Sequence, residues 1–228
     1  MVSSISYEKI ISKRVILALT FALRAVLLFA SLAFLLHQKW FPLFLSLLSV
    51  FLTFFPSILQ RRFGVYLPTE LEISVVLFVY ASLFLGEIKA YYFKFWWWDL
   101  MLHSLSSIIL GFAGFIIIFS LWRNSRIAVS PFMFSLFSFS FSVSIGALWE
   151  IFEFAMDFYF GTNMQKSGLV DTMTDLIVDA LGALFVSLLA YLYVSNSKVP
   201  GFFERMVRNF IEKNPSLFGV SKSKRRRE

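Results

Sequence analysis

"PFMFSLFSFSFSVSIGALWEIFEFAMD" (131–157) can be read in two ways. Its middle, "FSFSFSVS" (137–144), alternates apolar and small polar residues with the period of a half-buried strand. That alternation lies inside a continuous apolar run far longer than a strand of roughly 4–8 residues, so length decides for a helix. A helix this apolar belongs in a bilayer, whose hydrocarbon core of about 30 Å needs roughly twenty helical residues. The same run ends on three carboxylates, Glu150, Glu153 and Asp157. The fold follows from the first feature, and the chemistry turns on the second.

Working outward, five more stretches are long enough to cross, near 15–36, 40–59, 71–88, 99–121 and 172–195. The third is the weakest, because Glu70 and Glu72 crowd its start and Glu87 its end. The chain has 228 residues, of which 58% are hydrophobic and 30 are Phe, and its mean hydropathy is +0.75. A soluble domain seldom exceeds about half apolar residues, so these values place the chain among integral membrane proteins. Lipid cannot satisfy open backbone groups, and no barrel-type alternation of about ten residues recurs. The expected class is therefore all-α, a polytopic membrane bundle of about six transmembrane helices. Residues 1–195 form one transmembrane domain, and 196–228 a cytoplasmic amphipathic helix with a polybasic tail. The first apolar run exceeds a cleavable signal's apolar region of roughly 7–15 residues, so it reads as a retained span.

Six spans put both termini on one side. Of the 21 Lys and Arg, sixteen fall in the tails and in the loops after spans two and four. Four (Lys39, Lys89, Lys94 and Lys166) fall on the other side, and Arg24 lies within span one. The positive-inside rule then puts both termini in the cytoplasm and the chain in the cell membrane as a multi-pass protein. "FKFWWWD" (93–99) suits the outer aromatic belt. In the tail, Phe202, Met206 and Phe210 recur every four residues, which predicts a helix on the inner leaflet, its basic end near anionic lipid headgroups. Nucleic acid is not an expected partner, since the basic end is short and lacks a stacking module. There is no Cys, which removes disulfides, thiolate metal sites and Cys nucleophiles together.

Helical spacing gathers the acids. Glu150, Glu153 and Asp157 share one face of span five; Asp171, Asp175 and Asp179 stand four apart on span six; Asp99 and His103 stand four apart at the start of span four. Span four begins outside, span five ends outside and span six begins outside, so all eight groups fall in the outer half of the membrane. Singly, Asp99 and Asp171 read as helix caps and His103 as an interior histidine. Seven of the fourteen carboxylates at one depth need a common explanation. A carboxylate at a helix centre costs about 2.5–3.5 kcal/mol to insert, and like charges at close range repel. Either several carry protons or a cation compensates them. Arg24, roughly 15 Å into span one by helical rise, could reach Glu150 or Asp179, and Lys166 is a second internal cation. Two cations against seven acids leave an excess that a divalent metal would absorb. One imidazole with several carboxylates suits Mg²⁺, Mn²⁺, Fe²⁺ or Zn²⁺ at one or two centres. Ser135, Ser138, Ser142 and Gly146 continue the acidic face inward, either as a close-packing stripe or as a polar track.

Together, "DLMLHSLSSIILGFAGF" (99–115), "GALWEIFEFAMD" (146–157) and "GTNMQKSGLVDTMTDLIVDALGAL" (161–184) resemble the YjdF-like family of bacterial and archaeal membrane proteins. On that resemblance Asp99, His103, Glu150, Glu153, Gln165, Asp171, Thr172 and Asp175 match the family pattern, while Asp157 and Asp179 rest on spacing alone. A looser likeness extends to VanZ-like proteins. The resemblance implies the architecture and the site and supplies no chemistry.

Three functions compete. The first is a metal-dependent hydrolase or transferase on a lipid or lipid-linked substrate, with Asp99, His103, Glu150, Glu153, Asp171 and Asp175 as metal ligands and Glu150 or Glu153 as general base. The second is a cation- or proton-coupled transporter or channel. The third is a scaffold with a buried polar network. Asp157, Gln165, Thr172, Asp179 and Arg24 are further polar-site candidates.

Overall fold

The computed structural model describes residues 2–124 and 127–219, with side chains from residue 17 onward. The side chains of Lys9, Lys13 and Arg14, together with Arg126 and the polybasic end after 219, lie outside that range. Among the described residues every regular element is helical, as the unbroken apolar runs require. The chain is a polytopic helical membrane protein. It folds as two compact units, residues 1–95 and 96–228.

The first unit contains α1 (Val2–Leu36), α2 (Trp40–Leu52), α3 (Phe55–Ile58), α4 (Thr69–Val79) and α5 (Tyr91–Lys94). Leu17–Leu36 of α1 is apolar enough to cross a membrane, and so is Thr69–Ile88, in which α4 continues as π-helix from Tyr80. The second expected span is not straight: Trp40–Leu52 and Phe55–Phe63 meet at 43°. Pro56 in the first turn of α3 is one cause, since proline removes a backbone donor at the break. Arg24 is the other. Its guanidinium donates from Nε to Thr53 Oγ1 at 2.9 Å and to the Thr53 carbonyl at 2.7 Å, and it lies 3.9 Å from the Phe54 ring centroid. A cation at the end of α2 suits the carbonyls and the dipole left there. Ser31 Oγ donates to Leu27 O, and a 2.8 Å bond joins it to Ser46 Oγ between α1 and α2.

The second unit is built on three long antiparallel helices, α6 (Trp98–Arg123), α7 (Pro131–Phe160) and α8 (Leu169–Val194), followed by α9 (Gly201–Lys213) and a single 3₁₀ turn at Pro215–Phe218. Pro131 opens α7, where a missing N–H costs nothing, and Gly161 at φ 65° ends it in the left-handed conformation that favours glycine. Small residues let the helices approach. Ser138 Oγ donates to the Gly111 carbonyl at 2.7 Å and Ser142 Oγ to the Ser107 carbonyl at 2.8 Å, tying α7 to α6. The serine face is thus used for close packing. Most apolar side chains on the outer faces, such as Leu148, Ile151, Phe154, Leu181 and Leu184, are exposed, as lipid-facing residues are.

The end of this bundle away from the α6 N-terminus is an aromatic core. Phe115 and Phe134 are fully buried, and the rings of Phe112, Phe115 and Tyr193 surround Phe203 of α9 at centroid distances of 5.8–6.1 Å. The face that α9 buries against the bundle is Phe203, Val207 and Phe210; of the stripe expected to meet the inner leaflet, Phe202 is exposed and Phe210 is buried. The helix packs on its own bundle because Asn124 Nδ2 donates to the Leu217 carbonyl at 2.6 Å and holds the turn after α9 at the end of α6.

Candidate metal centre

Consecutive long helices run antiparallel, so the start of α6, the end of α7 and the start of α8 meet at one end of the second unit. Six of the seven expected acids converge there. Asp99 and His103 come from α6, Glu150 and Glu153 from α7, and Asp171, Asp175 and Asp179 from α8, where Asp171 opens the helix and the other two follow by whole turns. Asp175 and Asp179 are each 1% exposed and Glu150 is 4% exposed, so solvent does not support their charge.

His103 is the hub. Its Nδ1 lies 3.2 Å from Asp179 Oδ2, while Nε2 faces Glu150 Oε1 at 3.7 Å and Asp99 Oδ1 at 3.9 Å. With the proton on Nδ1, Asp179 accepts it, and Nε2 turns its lone pair toward the remaining carboxylates. A carboxylate behind the non-ligating nitrogen is the usual support of a metal-bound imidazole. Asp179 reaches that position because residue 146 is glycine. A Cβ there would collide with the Asp179 carboxylate, coming within 3.0 Å of its Cγ. Spacing alone had put Asp179 on the acidic face; its part in orienting His103 depends on Gly146, whose small size reads in sequence as packing only.

Two triads of ligand atoms result. Atoms of His103, Glu150 and Asp175 all lie within 4.8 Å of one another, and so do atoms of Asp99, Asp171 and Asp175. Among the described residues, both oxygens of Glu150, both of Asp175 and one each of Asp171 and Asp179 are buried without a hydrogen-bond partner within 3.5 Å, the Thr172 hydroxyl being a more distant donor near Glu150. Buried polar atoms are nearly always satisfied, and orphaned carboxylate oxygens cost more than neutral ones. The donor set, one imidazole among carboxylates, fits a hard or borderline divalent cation.

The other expected residues take supporting places. Glu153 joins neither triad; it is buried, its Oε1 accepts from Trp149 Nε1 at 2.9 Å, and Glu150 and Asp99 are its electrostatic neighbours. Lys166, from the 161–168 loop, donates to Asp99 Oδ2. Gln165 Nε2 donates to Thr172 Oγ1 at 2.7 Å and fixes that loop to the first turn of α8. Asp157 stands apart from the triads. Its carboxylate accepts from Thr162 Oγ1 at 2.6 Å and from the backbone N–H groups of Met164 and Gln165 at 2.7 and 2.8 Å. It organises the loop that carries Lys166. Arg24 makes its bonds to Thr53 inside the first unit.

A family described as "Predicted membrane protein (DUF2238)" matches residues 15–196. The match takes in the first two spans as well as the acidic helices. An uncharacterised protein of Thermotoga maritima is 28% identical over 138 residues, 60% of this chain and 70% of that protein. No solved structure matches.

Proposed function

The chain belongs to the DUF2238 family of predicted membrane proteins, and within that family we propose that it is YjdF-like in its site pattern and that it acts as a divalent-metal-dependent hydrolase or transferase on a lipid or lipid-linked substrate. The observation that carries this reading is the buried His103–Glu150–Asp175 triad with four orphaned oxygens on its two carboxylates. A divalent cation held there would supply Lewis-acid polarisation of a phosphoryl or ester oxygen and an acidified water. Asp179 holds the His103 ring with Nε2 forward. Glu153 is the better general base of the two glutamates, because Glu150 is committed to the triad and Glu153 borders it. In hydrolysis, water oxygen bonds to the phosphorus or acyl carbon as the bond to the leaving oxygen breaks. Glu153 takes the water's proton and delivers a proton to the leaving group.

The test of the reading is elemental analysis of detergent-purified protein before and after chelation. A stoichiometric divalent metal that chelation removes, and whose content falls in Glu150→Gln protein, is the expected result. Metal-free wild-type protein that takes up none on dialysis would end the proposal.

The positive-inside distribution supports cytoplasmic termini, with the acidic centre in the outer half of the cell membrane and the C-terminal basic residues near anionic headgroups. A chain without Cys makes this simple to test. Asn163→Cys, exposed in the 161–168 loop, is expected to react with a membrane-impermeant maleimide in intact cells. Ser216→Cys, exposed after α9, is expected to react only after lysis. The opposite pattern reverses the orientation.

A further inference from the structure

We propose that the acidic centre is built for two divalent cations bridged by Asp175, an inner one on His103, Glu150 and Asp175 and an outer one on Asp99, Asp171 and Asp175. The proposal rests on the metal-binding reading above and specifies the number and arrangement of the ions. Three observations carry it.

The first is shared membership. Asp175 belongs to both triads, and within each the ligand atoms lie within 4.8 Å of one another. A carboxylate has two oxygens, and both of those on Asp175 are buried without a partner, at 1% exposure of the residue. One oxygen for each ion is the arrangement that leaves neither orphaned. It suits the separation of about 3.5–4 Å found in two-metal sites.

The second is charge. The four ligand carboxylates Asp99, Glu150, Asp171 and Asp175 carry four negative charges when ionised. Two divalent cations balance four; one leaves two negative charges uncompensated among buried groups. Glu153 and Asp179 add two more carboxylates against the single ammonium of Lys166, so even two divalent ions do not exceed the acidic charge gathered there.

The third is the difference between the triads. The inner one is fully buried and includes the imidazole; the outer one is all oxygen, with Asp171 only partly covered and Asp99 at the margin of burial, 9% exposed. Lys166 already places its ammonium on Asp99 Oδ2. A tethered ammonium there competes with an arriving cation for the outer triad, so that the inner ion binds first and the outer ion must displace the lysine. The centre is then a tight nitrogen- and oxygen-liganded site beside a weaker all-oxygen one. Two ions of this kind suit a substrate that presents paired phosphoryl oxygens, the chemistry of a phosphate-bearing lipid.

Mn²⁺ is the probe, because it accepts both donor sets and is paramagnetic. Equilibrium dialysis of the full-length protein in detergent is expected to give two Mn²⁺ per chain, and electron paramagnetic resonance the exchange-coupled spectrum of a bridged pair. Glu150→Gln and Asp99→Asn are each expected to keep one ion and lose the coupling, while Asp175→Asn retains neither ion at concentrations that saturate the wild type. Lys166→Met is expected to tighten the second binding step by about 10-fold, since a like charge a few Å away opposes the incoming ion. This gain cannot be produced by misfolding. One Mn²⁺ per chain, or two with uncoupled spectra, overturns the pair while leaving the metal-binding reading intact. No Mn²⁺ at all overturns both.

Discussion

Chelating the divalent cations from the wild-type protein is expected to lower its thermal midpoint by on the order of 10 °C, and Asp175→Asn is expected to abolish that response. A ligand at about a thousand times its dissociation constant stabilises the state that binds it by roughly 4 kcal/mol, and about 1 kcal/mol moves the midpoint of a domain this size by roughly 2–4 °C. Removing the cation also leaves six carboxylates facing one another across α6, α7 and α8 with two orphaned oxygens on each of Glu150 and Asp175. Asp175 is the most central of them, being the member common to both triads. Its neutral amide removes one charge from the middle of that repulsion. The metal-free variant should therefore melt above the metal-free wild type and show no further rise with Mn²⁺. Such a reversal of sign separates a cation centre from a hydrogen-bonded polar core. In a core of that kind the wild type would melt alike with and without chelator, and loss of a partner would lower stability in both conditions. Identical wild-type melting curves across a chelator titration would remove the cation from the account.

The residues that could be placed from sequence were those whose position follows from helical phase and span direction. Glu150, Glu153, Asp175 and Asp179 recur at whole turns on helices whose alternating sense puts their acidic ends together, and no other information was needed to predict that they meet. What the sequence did not disclose depends on loop geometry and on space. Asp157 has the same spacing as its neighbours. Yet α7 ends only four residues later at Gly161, and the chain then turns back so that the N–H groups of Met164 and Gln165 point at its carboxylate. Helical phase stops being a guide where the helix stops. Arg24 was legible as a buried cation in want of an anion; its actual partner, a carbonyl at the break after α2, exists only because the second span bends. The tail helix was recognised by its amphipathicity. What its spacing did not disclose is that Phe203 and Val207, beside the expected stripe, pack with Phe210 on the aromatic end of its own bundle.

The ligand triads do not hold themselves in place, and the dependence can be located at one glycine. Gly146 is buried on α7 opposite Asp179, and a methyl group there would overlap that carboxylate. Asp179 has little room to retreat, being 1% exposed. Gly146→Ala is therefore expected to push its Oδ2 off His103 Nδ1 and free the ring to turn its Nε2 away from Glu150 and Asp99. Loss of a carboxylate that orients a metal-binding histidine typically costs 10–100-fold in metal affinity, and overpacking costs typically about 1–3 kcal/mol in stability. Both losses are expected in the single variant, and a second substitution separates them. In Gly146→Ala with Asp179→Ala the methyl fills the space the carboxylate leaves, so stability returns toward the wild type. Affinity for Mn²⁺ stays low, because nothing then holds the histidine. Asp179→Asn, which keeps an acceptor oxygen for Nδ1–H, is expected to bind more tightly than Asp179→Ala. Full metal affinity in the double variant would mean that His103 is held by its packing alone, and that Asp179 takes no part in aiming it.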